Sequence, residues 1–140
     1  MPTSYFFETI STAQQAAFAD GDGLIFPVGA TANRVSVSFV AAVGASPARI
    51  DISYNGRTIS LDPGHVTTDY LGAVFPDNSR LVIGEAAGTD LSAVNSPLGD
   101  AIYGGAGDDI LDGGDGANLI QGNQGHDDIT AGDGADTLLG

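Results

Sequence analysis

The most regular hydrophobic pattern in the chain is an aliphatic residue at every ninth position after residue 94. The column consists of Ile102, Leu111, Ile120, Ile129 and Leu138. Each of these residues stands between two variable positions, which is the alternation of a very short strand with one inward side chain. Such a strand cannot bury its apolar side chain alone, whereas stacked copies give every strand a neighbour. The pattern therefore predicts a solenoid of short strands.

A second column of polar residues runs two positions ahead of the aliphatic one. It consists of Asp100, Asp109, Asn118, Asp127 and Asp136. Glycine pairs such as Gly104-Gly105 come before it, and they permit tight turns that bring backbone carbonyls together. Carbonyl and carboxylate oxygens are the hard ligands that calcium prefers. Each unit is therefore predicted to be a Ca²⁺ ligand loop followed by a short strand.

The repeats carry a family resemblance. From residue 104 they read GGAGDDILD, GGDGANLIQ, GNQGHDDIT and AGDGADTLL, after a decayed copy, NSPLGDAIY. This series resembles the RTX nonapeptide calcium-binding repeat, GGxGxDxUx. The resemblance implies a parallel β-roll with two repeats per turn and Ca²⁺ between repeats n and n+2. It places the Asp109 and Asp127 loops on one edge, and those of Asp100, Asn118 and Asp136 on the other.

The same pairing ranks the candidate ligands. Asp109 and Asp127 both match the motif, so the best complete site is expected between them. Asn118 keeps a ligand oxygen but lacks the charge that strengthens calcium binding, so weaker sites are expected along its edge. The family pattern implies carbonyl ligands from Gly105, Gly107, Asn123 and Gly125. Further acids such as Asp108 and Asp128 are interpreted as solvated surface charge.

The alternative for this segment is disorder, which is usual for sequences of high charge and low hydrophobicity. The intact aliphatic column favours a folded segment when calcium is present. Without calcium, disorder is the favoured state. Residues 94–140 contain nine acids and no Lys or Arg, so no cation of the segment offsets the carboxylate repulsion.

Residues 1–93 follow a different pattern, that of a small β-rich, sandwich-like domain with one short helix near residues 11–19. Ser11 and Gln14 have the spacing of a capping box at the start of this helix. Asn55-Gly56 is a strong signal for a two-residue hairpin. Folding about it sets Ile52 opposite Ile59 and Ile50 opposite Leu61.

Other strands of this domain are predicted from shorter patterns. Val35, Val37 and Phe39 alternate as a half-buried strand, and Leu24–Val28 and Leu81–Ile83 are interpreted as short buried strands. No long Pro- or Ser-rich spacer follows residue 84. We therefore expect an all-β chain in which the domain of residues 1–93 merges into a roll of residues 94–140 and closes its first turn. We also expect the roll to continue beyond residue 140 in a longer protein.

Charge and composition narrow the partners. The net charge is −14, and the chain has no Lys and no Cys. Nucleic acid is an improbable partner because its binding needs a basic face, and no apolar run reaches the length of a membrane span. The first residues lack the basic and apolar regions of a secretory signal. A calcium-dependent segment without such a leader resembles type I secreted bacterial proteins, so we expect an extracellular or bacterial cell-surface location.

No catalytic motif is recognised. His65 lies near Asp62 and Ser60 with no triad or nucleophile-elbow spacing, so it is interpreted as a turn or solvent-facing histidine. His126 is a variable position within a repeat. We therefore expect a non-enzymatic surface-layer, fibre or adhesive matrix protein that self-associates through its arginines or exposed β edges; a cell-surface polysaccharide is a further candidate partner. The alternatives are the calcium module of a larger secreted protease or lipase, and a secretion and folding aid.

Overall fold

The structure is a computed structural model that describes residues 1–65, 72–84, 87–92 and 96–140. These residues are mostly short strands with one small α-helix. The strands are β1 (Ser4–Phe6), β2 (Gly23–Ile25), β3 (Ser36–Val40), β4 (Arg49–Tyr54), β5 (Arg57–Leu61), β6 (Ala73–Val74), β7 (Leu81–Ile83), β8 (Asp90–Leu91), β9 (Ala101–Ala106), β10 (Ile110–Asp112), β11 (Leu119–Gln124), β12 (Asp128–Thr130) and β13 (Thr137–Leu139). The α-helix, α1, spans Thr12–Ala16, and 3-10 turns span Ala32–Arg34 and Pro63–His65.

The repeats form a parallel β-roll, as their resemblance implies. One sheet has the order β13-β11-β9-β7 and the other has the order β12-β10-β8. Ile120 pairs with Ile102 on one side and with Leu138 on the other, so strands 18 residues apart are neighbours and two repeats make one turn. Between the two sheets, Ile102, Leu111 and Ile120 are at most 1% exposed. The predicted aliphatic column is therefore the core of the roll.

The first turn of the roll is built from residues that do not follow the repeat motif. Val82 of β7 pairs with Ile102, and Leu91 of β8 pairs with Leu111. Both side chains are fully buried in the core of the roll. The offset is 20 residues here instead of 18, which hides this turn from a search for the nonapeptide. The predicted merging of the two parts is confirmed, while the predicted domain boundary at residues 93 and 94 lies outside the described residues.

The N-terminal part combines a parallel sheet, β1-β2-β6, with an antiparallel sheet, β3-β4-β5. The predicted hairpin register is confirmed, with Ile52 opposite Ile59 and Ile50 opposite Leu61. Asn55 and Gly56 both have positive φ, which suits their place in the two-residue turn.

Two predicted elements are shorter than the sequence suggested. The capping box of Ser11 and Gln14 is present, but the helix ends at Ala16. Strand β2 ends at Ile25, and Val28 is 95% exposed, so the prediction of a buried strand through Val28 was wrong at its end. The chain leaves the sheet there through Pro27, which cannot donate a ladder hydrogen bond.

The N-terminal core continues directly onto the outer face of the roll. The exterior side chains of β7 and β9, namely Leu81, Ile83, Ala101 and Tyr103, belong to the same buried cluster as Phe7 and Phe26. Tyr103 also donates a hydrogen bond of 2.6 Å from its hydroxyl to the backbone oxygen of Val35. One sheet of the roll therefore has two buried faces, and the N-terminal part covers its outer one.

Replacing Tyr103 with Phe is expected to weaken this junction. The change leaves the Val35 carbonyl without its buried donor, which costs about 1–3 kcal/mol of the free energy of unfolding. Urea denaturation measures the loss. The matched control is Tyr54→Phe, because the Tyr54 ring packs against Phe7 and Phe26 and those contacts survive the change. An equal loss in the two variants would contradict a special role for the Tyr103 hydroxyl.

Candidate metal centre

The loops of the roll depend on left-handed backbone at two positions in every repeat. At the second position φ is 101° for Gly105, 69° for Gly114, 74° for Asn123 and 77° for Gly132. At the fourth position φ is 100° for Gly107, 100° for Gly116, 142° for Gly125 and 157° for Gly134. Asn123 can replace glycine because Asn tolerates left-handed backbone better than other side chains do. All copies thus share one loop conformation.

The polar column forms two ladders of hydrogen bonds, one along each edge of the roll. Each side chain accepts, through Oδ1, a hydrogen bond from the backbone N–H of the polar residue two repeats earlier. The N···O distance is 3.1 Å from Asp109 to Asp127, 2.9 Å from Asp100 to Asn118 and 2.9 Å from Asn118 to Asp136. The structure therefore brings together the pairs that the repeat pattern predicts.

Both ladders extend into the first turn. The Arg80 N–H donates to Asp100 Oδ1, and the Thr89 N–H donates to Asp109 Oδ1, each over 2.7 Å. Sequence analysis missed these two positions because neither residue matches the motif. The spacing of Val82 and Leu91, nine residues like the rest of the aliphatic column, is the signal that locates them.

Asp109 has a buried oxygen that the protein does not satisfy. The residue is 1% exposed, and its Oδ2 atom has no hydrogen-bond partner among the described residues. This oxygen lies over Gly104, where an added Cβ would collide with it and would also lie 2.7 Å from the carbonyl oxygen of Gly122. A buried carboxylate oxygen beside a carbonyl oxygen, with no donor, is unfavourable unless a cation joins them.

Electrostatics support the same conclusion. Burial raises the pKa of Asp109 above its usual value, and the negative charges of Asp127 and Asp108 raise it further. The hydrogen bond from Thr89 opposes the shift but does not cancel it. Ionised Asp109 therefore lacks positive charge nearby, and a divalent cation would supply it.

Asp127 stands in the equivalent place in the next loop of this edge. Its Oδ2 lies over Gly122 so closely that a Cβ there would collide with it. The Gly107 N–H donates to the Gln124 carbonyl over 2.7 Å, so the loops of residues 104–109 and 122–127 stack directly. The predicted carbonyl ligands, Gly105, Gly107, Asn123 and Gly125, all lie in these two loops.

The composition of the site fits calcium better than a transition metal. Within the described ranges, no group of three or more His, Cys, Asp or Glu side chains converges on one point. Two carboxylates with several backbone carbonyls are an all-oxygen set, which is the set that Ca²⁺ prefers. Such a site has little to offer zinc, which takes nitrogen and sulfur ligands.

The remaining predicted ligands and acids have varied surroundings. Asp100 is fully buried and accepts hydrogen bonds from Ser96 as well as from Arg80. Asp136, in the last repeat, is only half-buried. Asp108 is exposed as predicted, although its Oδ1 accepts a hydrogen bond of 2.9 Å from the His126 N–H. His65 ends a 3-10 turn, as a turn histidine should, and its ring is partly buried.

Comparison with known proteins agrees with this geometry. The family model of the RTX calcium-binding nonapeptide repeat, with four copies, matches residues 103–138, about a quarter of the chain. No curated protein and no solved structure matches the chain. Among the described residues, no helix has the length and apolar character needed to cross a membrane. Residues 103–138 are therefore RTX repeats, which bind calcium and indicate a type I secreted, extracellular protein.

Proposed function

We propose that the chain is a non-enzymatic extracellular protein whose roll folds when it binds Ca²⁺ and then self-associates in a surface layer, fibre or adhesive matrix. The observation that carries the calcium part is the buried, unpartnered Oδ2 of Asp109. Asp109 and Asp127 would hold the ion between their stacked loops, with carbonyls of Gly105, Gly107, Asn123 and Gly125. The bound ion supplies the positive charge that this edge lacks.

Calcium concentration would then control folding. The ligands come together only when the strands stack, so the ion binds the folded roll far better than the unfolded chain. A ligand with this preference stabilises the folded state in proportion to the logarithm of its concentration. The roll would stay unfolded at the low calcium concentration inside a cell and fold outside it.

Exposed strand edges support the self-association part. Among the described strands, β1 and β3 are the outermost members of their sheets, and they expose Phe6 (61%) and Phe39 (37%). An outer strand with an exposed apolar side chain can pair with another chain. The arginines support a contact less well. Arg49 pairs with Asp51, and Arg57 donates to the carbonyls of Phe7 and Ile10 of the same chain.

Size-exclusion chromatography and electron microscopy, at several protein concentrations with calcium or chelator, test the assembly proposal. We expect ordered assemblies only with calcium. Phe39→Thr should reduce assembly, since it removes an apolar side chain from the β3 edge, while calcium titration stays unchanged. Val28→Thr is the matched control, because Val28 is exposed but lies outside the strands. A folded monomer at every concentration would contradict self-association and leave calcium binding to be judged by titration.

A further inference from the structure

Asn118 replaces the motif aspartate in the repeat that begins at Gly113, and its amide has a fixed orientation. Its Oδ1 accepts a hydrogen bond of 2.9 Å from the backbone N–H of Asp100. Only the oxygen of an amide can accept, so the Nδ2 group must point the other way, into its own loop. The residue is 2% exposed, so water does not decide this orientation.

The Nδ2 atom lies among four carbonyl oxygens. They belong to Gly114 at 3.3 Å, Asp115 at 3.4 Å, Gly116 at 3.4 Å and Ala131 at 3.5 Å. The first three come from the same loop, and the fourth comes from the loop stacked on it. An inward ring of carbonyl oxygens is an arrangement that calcium ligands adopt, but here its centre is a nitrogen that carries two hydrogens.

The same point on the opposite edge holds the unpartnered oxygen of Asp109. A Cβ on Gly113 would lie 2.9 Å from both Asn118 Nδ2 and the Ala131 oxygen. A Cβ on Gly104 would meet Asp109 Oδ2 and lie 2.7 Å from the Gly122 oxygen. The two atoms are therefore equivalent in the roll. One is a donor that the carbonyl oxygens attract, and the other is an anionic acceptor that they repel.

Asp100, the earlier member of the Asn118 edge, also has its hydrogen bonds satisfied by the protein. Its Oδ2 accepts from the Ser96 N–H over 2.6 Å, and its Oδ1 accepts from the Ser96 hydroxyl over 2.8 Å. In addition, Asn33 of the N-terminal part donates 2.7 Å from Nδ2 to the carbonyl of Ala117. Side-chain and backbone N–H groups thus supply donors along this edge.

We propose that the Asn118 amide takes the place of a cation in its loop, so that this edge of the roll closes without calcium. Calcium dependence is then confined to the edge of Asp109 and Asp127. This inference rests on the proposed calcium-dependent folding, and it gives Asn118 a role different from the weaker ligand that the repeat pattern predicts. The edge fastened to the N-terminal part would be permanent, and the other edge would respond to the ion.

A reciprocal pair of isosteric variants tests the inference in the full chain. Asn118→Asp should add about one bound Ca²⁺ in calorimetric titration, because it restores a carboxylate to the carbonyl ring. Its melting temperature in chelator should fall by roughly 4 °C or more and recover in calcium. Asp109→Asn should bind one Ca²⁺ fewer and melt higher in chelator than the unchanged protein. Ala135→Asp and Asp115→Asn are the controls for charge at exposed positions.

Different results contradict different claims. If the unchanged protein binds no calcium, the proposed function fails. If it binds calcium but Asn118→Asp leaves both the stoichiometry and the difference in melting temperature between calcium and chelator unchanged, the inference about Asn118 fails. An equal loss of stability in both buffers would show that Asn118 contributes packing only. Should Asn118→Asp not fold in chelator, the Asp109→Asn result still decides the question.

Discussion

Withdrawing Ca²⁺ with a chelator is expected to unfold the edge of Asp109 and Asp127 and to destabilise the whole roll. At a calcium concentration of 100 to 1,000 times the dissociation constant, the ion contributes about 2.7–4.1 kcal/mol to the free energy of unfolding. That contribution is a large fraction of the total stability of a small domain. The effect should be the largest that any single change of buffer produces in this protein.

The physical reason is charge. The repeat segment carries nine acids and no Lys or Arg, and burial raises the pKa of Asp109. A carboxyl group whose pKa is raised by folding stabilises the folded state below its ordinary pKa, and this contribution is lost as pH rises through the raised pKa. At neutral pH without calcium, ionised Asp109 therefore opposes folding. In chelator, stability should rise as the pH is lowered from neutral toward that pKa.

Far-UV circular dichroism during thermal melting, in calcium, in magnesium and in chelator, measures the effect. Asp127→Ala should reproduce the loss in saturating calcium and remove the tightest calcium transition from a titration. Asp115→Ala is the matched control, since it removes the same charge from an exposed position on the other edge. An unchanged titration of Asp127→Ala, or equal melting with and without calcium, would contradict the assignment.

The roll was predictable from the sequence because its interactions repeat with the sequence. A register of 18 residues places each motif position beside its own copy, so Asp109 meets Asp127 and Ile102 meets Ile120. The hairpin at Asn55-Gly56 was predictable for a similar reason, since its turn and its apolar pattern agree.

The remaining features depend on contacts between distant segments that the sequence does not mark. The hydrogen bond from Tyr103 to Val35 joins residues 68 positions apart, and no motif announces it. The first turn escaped because its 20-residue offset breaks the period. The amide of Asn118 was interpreted by what its oxygen could bind, whereas the structure shows what its nitrogen contacts. A pattern gives the residue type at a position, and only the fold gives the atoms around it.

The two edges of the roll therefore solve one electrostatic problem in two ways. Each stacked loop turns carbonyl oxygens inward, and each needs positive charge or a donor at that point. Asn118 supplies an N–H₂ group from the chain itself, while Asp109 leaves an oxygen that needs an external cation. A single repeat sequence can thus combine a permanent edge with one that responds to calcium.

The close stacking of the loops leads to the second large effect, which is expected for Gly125→Ala. Gly125 has a φ of 142°, and a Cβ there would collide with the carbonyl oxygen of Gly107 and lie 2.5 Å from its carbonyl carbon. Since the obstacle is backbone, a side-chain rotation cannot relieve it. The loops of Asp109 and Asp127 would be pushed apart, and both predicted sources of carboxylate would leave their places.

Gly29→Ala separates this collision from simple backbone strain. Gly29 has a φ of 84°, but a Cβ there meets no atom within 4 Å. Strained backbone costs on the order of 1–3 kcal/mol in either variant, and forced repacking adds roughly 1–3 kcal/mol in Gly125→Ala alone. Urea denaturation in saturating calcium should therefore show the larger loss for Gly125→Ala. Its calcium affinity should also fall about ten-fold or more, equivalent to about 1.4 kcal/mol, while that of Gly29→Ala stays unchanged. Equal losses, or an unchanged calcium affinity in Gly125→Ala, would mean that the two loops do not need their close contact to hold the ion.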